Sequence, residues 1–272
     1  MQTRQRKVRH KFSMLSAQLG LFGWLLCQPV VAYAEITVTL PPLAGLVTML
    51  DKEARVSCLL PENADPHHFS LTPRQASRMQ RADLLIRASR DDGGWKLHTS
   101  APILDLWPDV DHAWLQPEKV AHALPKLAKH LQLLHPERSE SIVQALKDAL
   151  KTSRKIQQDW QEALAPMKSK GIIMQHPAWH SLAENMGIPV WMVMESHRHG
   201  QEMGPKKLEQ AMQLLKMHPG VQLWGNRRHS NRALNWLAKH GSSQTPVLLD
   251  PLGDCNTGWS QLMQQNISRL KP

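Results

Sequence analysis

The sequence predicts an α/β protein built as two (β/α) lobes, each with a mostly parallel four-stranded sheet, joined by a long rigid backbone helix. Two observations carry this. Short apolar runs alternate with longer stretches of helical period along most of the chain, the pattern of parallel sheets covered by helices. The alternation then stops in the middle, where residues 137–168 (ERSESIVQALKDALKTSRKIQQDWQEALAPMK) show helical period, high charge and no strand.

The chain opens on a basic leader at 4–11 (RQRKVRHK), followed by an interrupted apolar run at 12–27 (FSMLSAQLGLFGWLLC) and by Ala32-Tyr33-Ala34. That order fits a secretory signal with a small-x-small cleavage site. Residues 1–34 are therefore expected to be a cleaved signal peptide, with Glu35 first in the mature, periplasmic chain. The apolar run is too short and too interrupted for a membrane span. Leu26 before Cys27 does not suit a lipid-anchor site, and no later segment is apolar enough to cross a bilayer, so stable membrane insertion is not expected after cleavage.

Charge and cysteines are read on the mature chain. The formal net charge is +10, and the leader's Arg4, Arg6, Lys7, Arg9 and Lys11 supply five of it, which leaves +5. The remaining basic residues are scattered, which argues against a nucleic-acid partner. Cys58 and Cys255 remain after cleavage. An oxidising compartment allows a bridge between them, but spacing alone does not decide between a bridge and two free thiols.

Strands are expected at 36–40, 56–60, 83–87 and 103–106, then at 171–174, 189–194, 221–224 and 246–249. Helices are expected at 42–51, 73–82, 118–134, 178–186, 205–217, 230–240 and 257–269. The central helix 137–168 places Ile142, Leu146, Leu150 and Ile156 on one face and charge on the rest. It divides the mature chain into an N-terminal lobe at 35–136 and a C-terminal lobe at 169–272. No internal sequence repeat is visible.

Fifteen histidines are present, and position singles out a few of them. Ligands of open α/β sheets sit beyond the carboxyl ends of the strands. His67 (with His68 beside it) follows the second strand in DPHHF, and His112 follows the fourth in DVDHAWLQPE. In the C-terminal lobe, His176 follows the first strand in MQHPAW, and Asp250 follows the last in LLDPLG. Three imidazoles and one carboxylate suit four-coordinate Zn²⁺, whereas Mn²⁺ favours more oxygen ligands. Trp114 and Trp179, close to two of these positions, are expected to be core residues.

Several segments, in this order and spacing, resemble one family. They are ITVTLPPLAGLVTML, then ADPHHFSLTPRQASRMQRADLLI with its Pro-His-x-aromatic and Thr-Pro, DHAWLQPE, HPAWHSLAENMGIPV and LDPLG. Together they resemble the zinc- and manganese-specific solute-binding proteins of bacterial metal ABC transporters. The resemblance implies metal held in the cleft between the lobes by His67, His112, His176 and Asp250, and it selects His67 over His68 as the ligand. It also implies Zn²⁺ as the transported ion, with Mn²⁺ as the alternative, and an ABC transporter permease in the inner membrane as partner of a monomeric capture protein. The segment 87–102 is shorter than is usual in that family. Its long His- and acid-rich loop is replaced by a short one at 195–204, where His197 and His199, with His68, are candidate accessory metal ligands. Asn226 stands where relatives often have an acidic residue.

Two other functions could use the same kind of ligand set. A zinc hydrolase needs an open metal position and a general acid or base. No HExxH, GxSxG or Cys-His constellation is present, and Glu184 and Glu202 are expected to be solvated. A periplasmic zinc store or chaperone without a transporter would share the ligand set.

Overall fold

The computed structural model describes residues 34–89, 92, 95, 97–195, 204–241 and 244–270. The leader, and with it the expected cleavage, lies outside these residues.

Each expected strand is present. The N-terminal sheet holds β1 (Glu35–Val38), β2 (Arg55–Cys58), β3 (Leu84–Ser89) and β4 (Ile103–Trp107) in the order β2-β1-β3-β4. The C-terminal sheet holds β5 (Ile172–Met174), β6 (Val190–Val193), β7 (Gln222–Asn226) and β8 (Val247–Leu249) in the order β6-β5-β7-β8. All six strand pairings are parallel. The two lobes thus repeat one topology without repeating a sequence. Parallel strands send every βα loop to the same end of the sheet, and that end is where ligands collect.

The helices are α1 (Pro41–Leu50), α2 (Pro73–Gln80), α3 (Pro117–Leu134), α4 (Ser139–Leu164), α5 (His180–Asn185), α6 (Pro205–Met217), α7 (Arg232–Gly241) and α8 (Trp259–Leu270). Proline at the first turn of α1, α2, α3 and α6 fits their starts, because its missing N–H has no intrahelical partner there. The α2 start is also closed by a capping box, in which Thr72 accepts from the N–H of Gln75 and the Gln75 side chain accepts from the N–H of Thr72.

The expected central helix is α4, extended at either end by a short 3-10 turn (Pro136–Arg138 and Ala165–Met167). Ile142 and Ile156 are fully buried, whereas Leu146 and Leu150 are half-buried on the shoulder of the same face. Ala149, Ser153, Trp160 and Leu164 complete the buried stripe. The Ser153 hydroxyl, buried where α4 meets the start of α3, donates to the Pro117 carbonyl at 2.6 Å.

The lobes are tied to each other in three further places. Cys58, at the end of β2, is bridged to Cys255, beyond β8, with Cα atoms 5.9 Å apart, which resolves the alternative that spacing leaves open. Trp114 Nε1 donates to the Pro251 carbonyl at 2.7 Å, and Trp259 Nε1 donates to the Trp114 carbonyl at 2.7 Å. Gly45 of α1 lies against the start of α8, so closely that a Cβ there would sit 2.4 Å from the Trp259 nitrogen.

Candidate metal centre

Each of the three proposed histidine ligands sits at a 3-10 turn. Asp65 accepts the backbone N–H of His67 at 2.9 Å and so starts the 3-10 turn Pro66–His68. Trp95 Nε1 donates to the Pro66 carbonyl at 2.9 Å and fixes that turn from the side. The short segment after β3 therefore supports the His67 loop. Within it Asp92 is buried and accepts the N–H of Ala88 at 3.1 Å as well as the Thr39 hydroxyl.

His112 has φ 49° and ψ 32°, the left-handed region that non-glycine residues seldom occupy. The 3-10 turn Ala113–Leu115 closes on it, with Leu115 N–H donating to the His112 carbonyl at 2.9 Å. Strained backbone of this kind clusters at functional sites. Trp114 and Trp179 are buried core residues. His176 starts a third 3-10 turn, Pro177–Trp179. Its Nδ1 accepts the Ala178 N–H at 3.2 Å, which fixes the ring, and its Nε2 stands 3.9 Å from Glu195 Oε2.

These loops bring His67, His112 and His176 together. One ring nitrogen of each lies within 4.8 Å of the others, the only such group of His, Cys, Asp or Glu among the described residues. Ring centroids are 6.4 Å apart for His67 and His112, and 5.5 Å for each of them to His176. His176 is buried and the other two are half-buried. Two of the three come from the N-terminal lobe and one from the C-terminal lobe, so the donors converge between the sheets.

Asp250 is held differently. Its Oδ1 accepts from Arg228 Nε at 2.9 Å and from the N–H groups of Leu252 and Gly253 at 3.0 Å each, while Oδ2 meets Arg228 Nη2 at 3.2 Å. Burial pushes this carboxyl up. The Arg228 and Leu252 hydrogen bonds, the Arg228 charge and the Gly253 N–H outweigh it and hold the pKa below its usual value. Asp250 is thus an ionised carboxylate clamped by a guanidinium, and it is not a member of the three-histidine group.

Of the other singled-out residues, His68 is exposed, with Nε2 3.9 Å from Asp65 Oδ2. Glu184 is exposed and pairs with His180 at 3.1 Å. His197, His199 and Glu202 lie outside the described residues. Four residues beside the site were not singled out from the sequence: Asp65, Glu195, Arg228 and His229. All lie past strand ends, so the rule that found the histidines reaches them too. The Glu195 carboxyl is raised, first by burial and then by the Asp65 charge, against a lowering hydrogen bond from Gln175. Asn226, buried at the end of β7, accepts the Arg228 N–H at 2.9 Å and shapes the turn that carries Arg228 and His229.

Two parallel-sheet lobes on a long helix, with a histidine trio where their loops meet, define the class: a two-lobed metal-binding protein. Residues 36–272 match the model of the family described as zinc-uptake complex component A, periplasmic, and the chain belongs to that family. A Thermotoga maritima relative, provisionally named a metal-binding protein, is 26% identical over 249 residues, covering 87% of this chain and 91% of its own. The crystal structure of ZnuA superposes with a TM-score of 0.75 at 22% identity, over 87% of this chain and 98% of that one. The manganese-bound periplasmic metal-binding protein from Candidatus Liberibacter asiaticus gives 0.69 at 13% identity, over 87% and 97%. Among the described residues, no helix is long and apolar enough to cross a membrane.

Proposed function

We propose that this protein captures Zn²⁺ in the periplasm, after removal of residues 1–34, and delivers it to an ABC-type permease of the inner membrane. The observation that carries the reading is the convergence of three imidazole nitrogens from both lobes within 4.8 Å. Nitrogen-rich donor sets suit Zn²⁺ better than Mn²⁺.

In this reading His67, His112 and His176 bind the ion and Asp250 supplies the fourth donor. A carboxylate has room for both a cation and a guanidinium. Oδ1 carries three of the hydrogen bonds, so Oδ2, with the longer contact to Arg228, is the oxygen that turns to the metal. Arg228 then holds the carboxylate in place on its other side, as partners behind the ligands commonly do. All four zinc positions are filled by protein groups, which suits holding and handing over an ion more than activating water.

Calorimetric zinc titration tests the assignment. His67→Ala, His112→Ala, His176→Ala and Asp250→Ala are each expected to weaken binding by at least about 10–100-fold, the loss typical of changes one layer further out. Parent-like binding by both His67→Ala and His176→Ala would refute it. Delivery is tested by zinc-limited growth of cells lacking the protein, which the parent is expected to restore and His112→Ala is not.

A further inference from the structure

Asn266 is a polar residue in an apolar place. It lies inside α8 and is fully buried, on the stripe formed by Trp259, Leu262, Met263, Ile267 and Leu270. A leucine would fill that position with no polar group to satisfy. The asparagine amide is instead bonded on both sides. Its Oδ1 accepts the Asp250 N–H at 2.7 Å, and its Nδ2 donates to the Asp250 carbonyl at 2.8 Å and to the Leu262 carbonyl at 2.9 Å. Both amide hydrogens are therefore used, and a flipped amide would set N–H against N–H.

These bonds fall where the sheet stops. β8 is the edge strand next to β7, and at its end the Leu249 carbonyl still accepts the Arg227 N–H on the β7 side. The N–H and carbonyl of the next residue, Asp250, both turn to α8. Asn266 thus gives Asp250 the donor and the acceptor that a further strand would give it. An ionised aspartate could not donate there, and glutamine would push the amide one methylene too far in a packed site. The neighbouring strand end is gripped in the same manner. Asn231 accepts the Asn226 N–H at 2.9 Å and donates to the Asn226 carbonyl at 2.8 Å. That grip sets the turn of Arg228, whose guanidinium holds the Asp250 side chain.

The same helix reaches the ligand loop of the other lobe. Trp259, two helical turns or about 10 Å before Asn266, donates from Nε1 to the Trp114 carbonyl at 2.7 Å. Trp114 belongs to the 3-10 turn that follows His112, and its own Nε1 donates to the Pro251 carbonyl at 2.7 Å. Asp250, Asn266, Trp259, Trp114 and Pro251 therefore form a closed circuit. Through it α8 holds a segment of each lobe beside a proposed ligand.

We infer that Asn266 is a positioning residue of the metal centre: it fixes the Asp250 backbone to α8, and α8 sets the distance between Asp250 and the His112 turn. The inference rests on the reading of Asp250 as the fourth donor. Asn266 bonds to the Asp250 backbone and to its own helix, so its effect on metal passes through Asp250.

The test is a double-mutant cycle read by calorimetric zinc titration. Asn266→Leu keeps the apolar stripe and removes the grip. It should weaken zinc binding by about 10-fold or more in the parent, the scale of partners behind metal ligands. In Asp250→Ala the same change should cost less than about two-fold, because the group it positions is gone. A purely structural role would lower Tm without this dependence on Asp250. Asn266→Ser, a smaller side chain at the same place, serves where the leucine variant does not fold, and the same difference between backgrounds is expected. Equal losses in the two backgrounds, or parent-like binding by Asn266→Leu, would overturn the positioning role while leaving Asp250 as a ligand. Parent-like binding by Asp250→Ala would overturn the ligand reading itself, and this inference with it.

Discussion

The bridge between Cys58 and Cys255 makes a sharp prediction, because it joins the lobes across 197 residues of sequence. Replacing both cysteines by serine removes the cross-link and changes little else. The loop-entropy relation puts the loss for a span of that length at about 5 kcal/mol, and native bridges typically lose about 2–5 kcal/mol. For a chain of this size each kcal/mol moves Tm by about 2–4 °C, so a fall of about 5–15 °C is expected. The fold should survive, since Trp114 and Trp259 still link the lobes. Cys58 ends β2 just before the His67 loop and Cys255 follows Asp250, so loss of the bridge should also loosen the loops of two proposed ligands and weaken the proposed zinc binding. Thermal unfolding by circular dichroism, with and without reductant, measures the first effect, and thiol counting in denaturant checks the bridge itself. A double variant that melts within about 1 °C of the oxidised parent, or an oxidised parent with two free thiols, would refute the reasoning.

Gly45→Ala should destabilise the protein by about 1–3 kcal/mol, the usual range for overpacking, because the new Cβ would meet the backbone at Trp259 and Thr257; an unchanged denaturation midpoint would contradict this. The folded pKa of Asp250 lies below its unfolded value, so its contribution to stability is complete above the ordinary carboxyl pKa and is lost as pH falls through the lowered one. Asp250→Asn should therefore be less stable than the parent at neutral pH and lose less on acidification; parallel Tm-against-pH curves would exclude that role. The continuous α4, the bridge and the tryptophan links argue against wide lobe closure. Small-angle scattering should find the same radius of gyration with and without zinc while Trp114 emission changes, and a clear contraction on loading would show otherwise.

The parts of this structure that depend on local pattern were readable in advance. All eight strands and the long helix follow from alternation and helical period, with strand ends displaced by a residue or two and the α-helix ending four residues early, at Leu164, where a 3-10 turn takes over. The histidines were found because strand ends are local features too. The Asp250–Arg228 pair was not readable, since it depends on sheet register: Asn226 of β7 pairs with Leu249 of β8, which sets Arg228 beside Asp250. The left-handed backbone of His112 leaves no mark in residue type. The bridge, and the approach of His229 to Asp65, join distant segments from opposite lobes, and nothing in their spacing announces that they meet.

The central claim is that a histidine trio holds zinc, and the metal content of protein purified from the periplasm without added metal tests it most directly. The account predicts one firmly held zinc per parent chain and none in His112→Ala prepared alongside. Manganese in the parent, or zinc retained equally by both proteins, would contradict it.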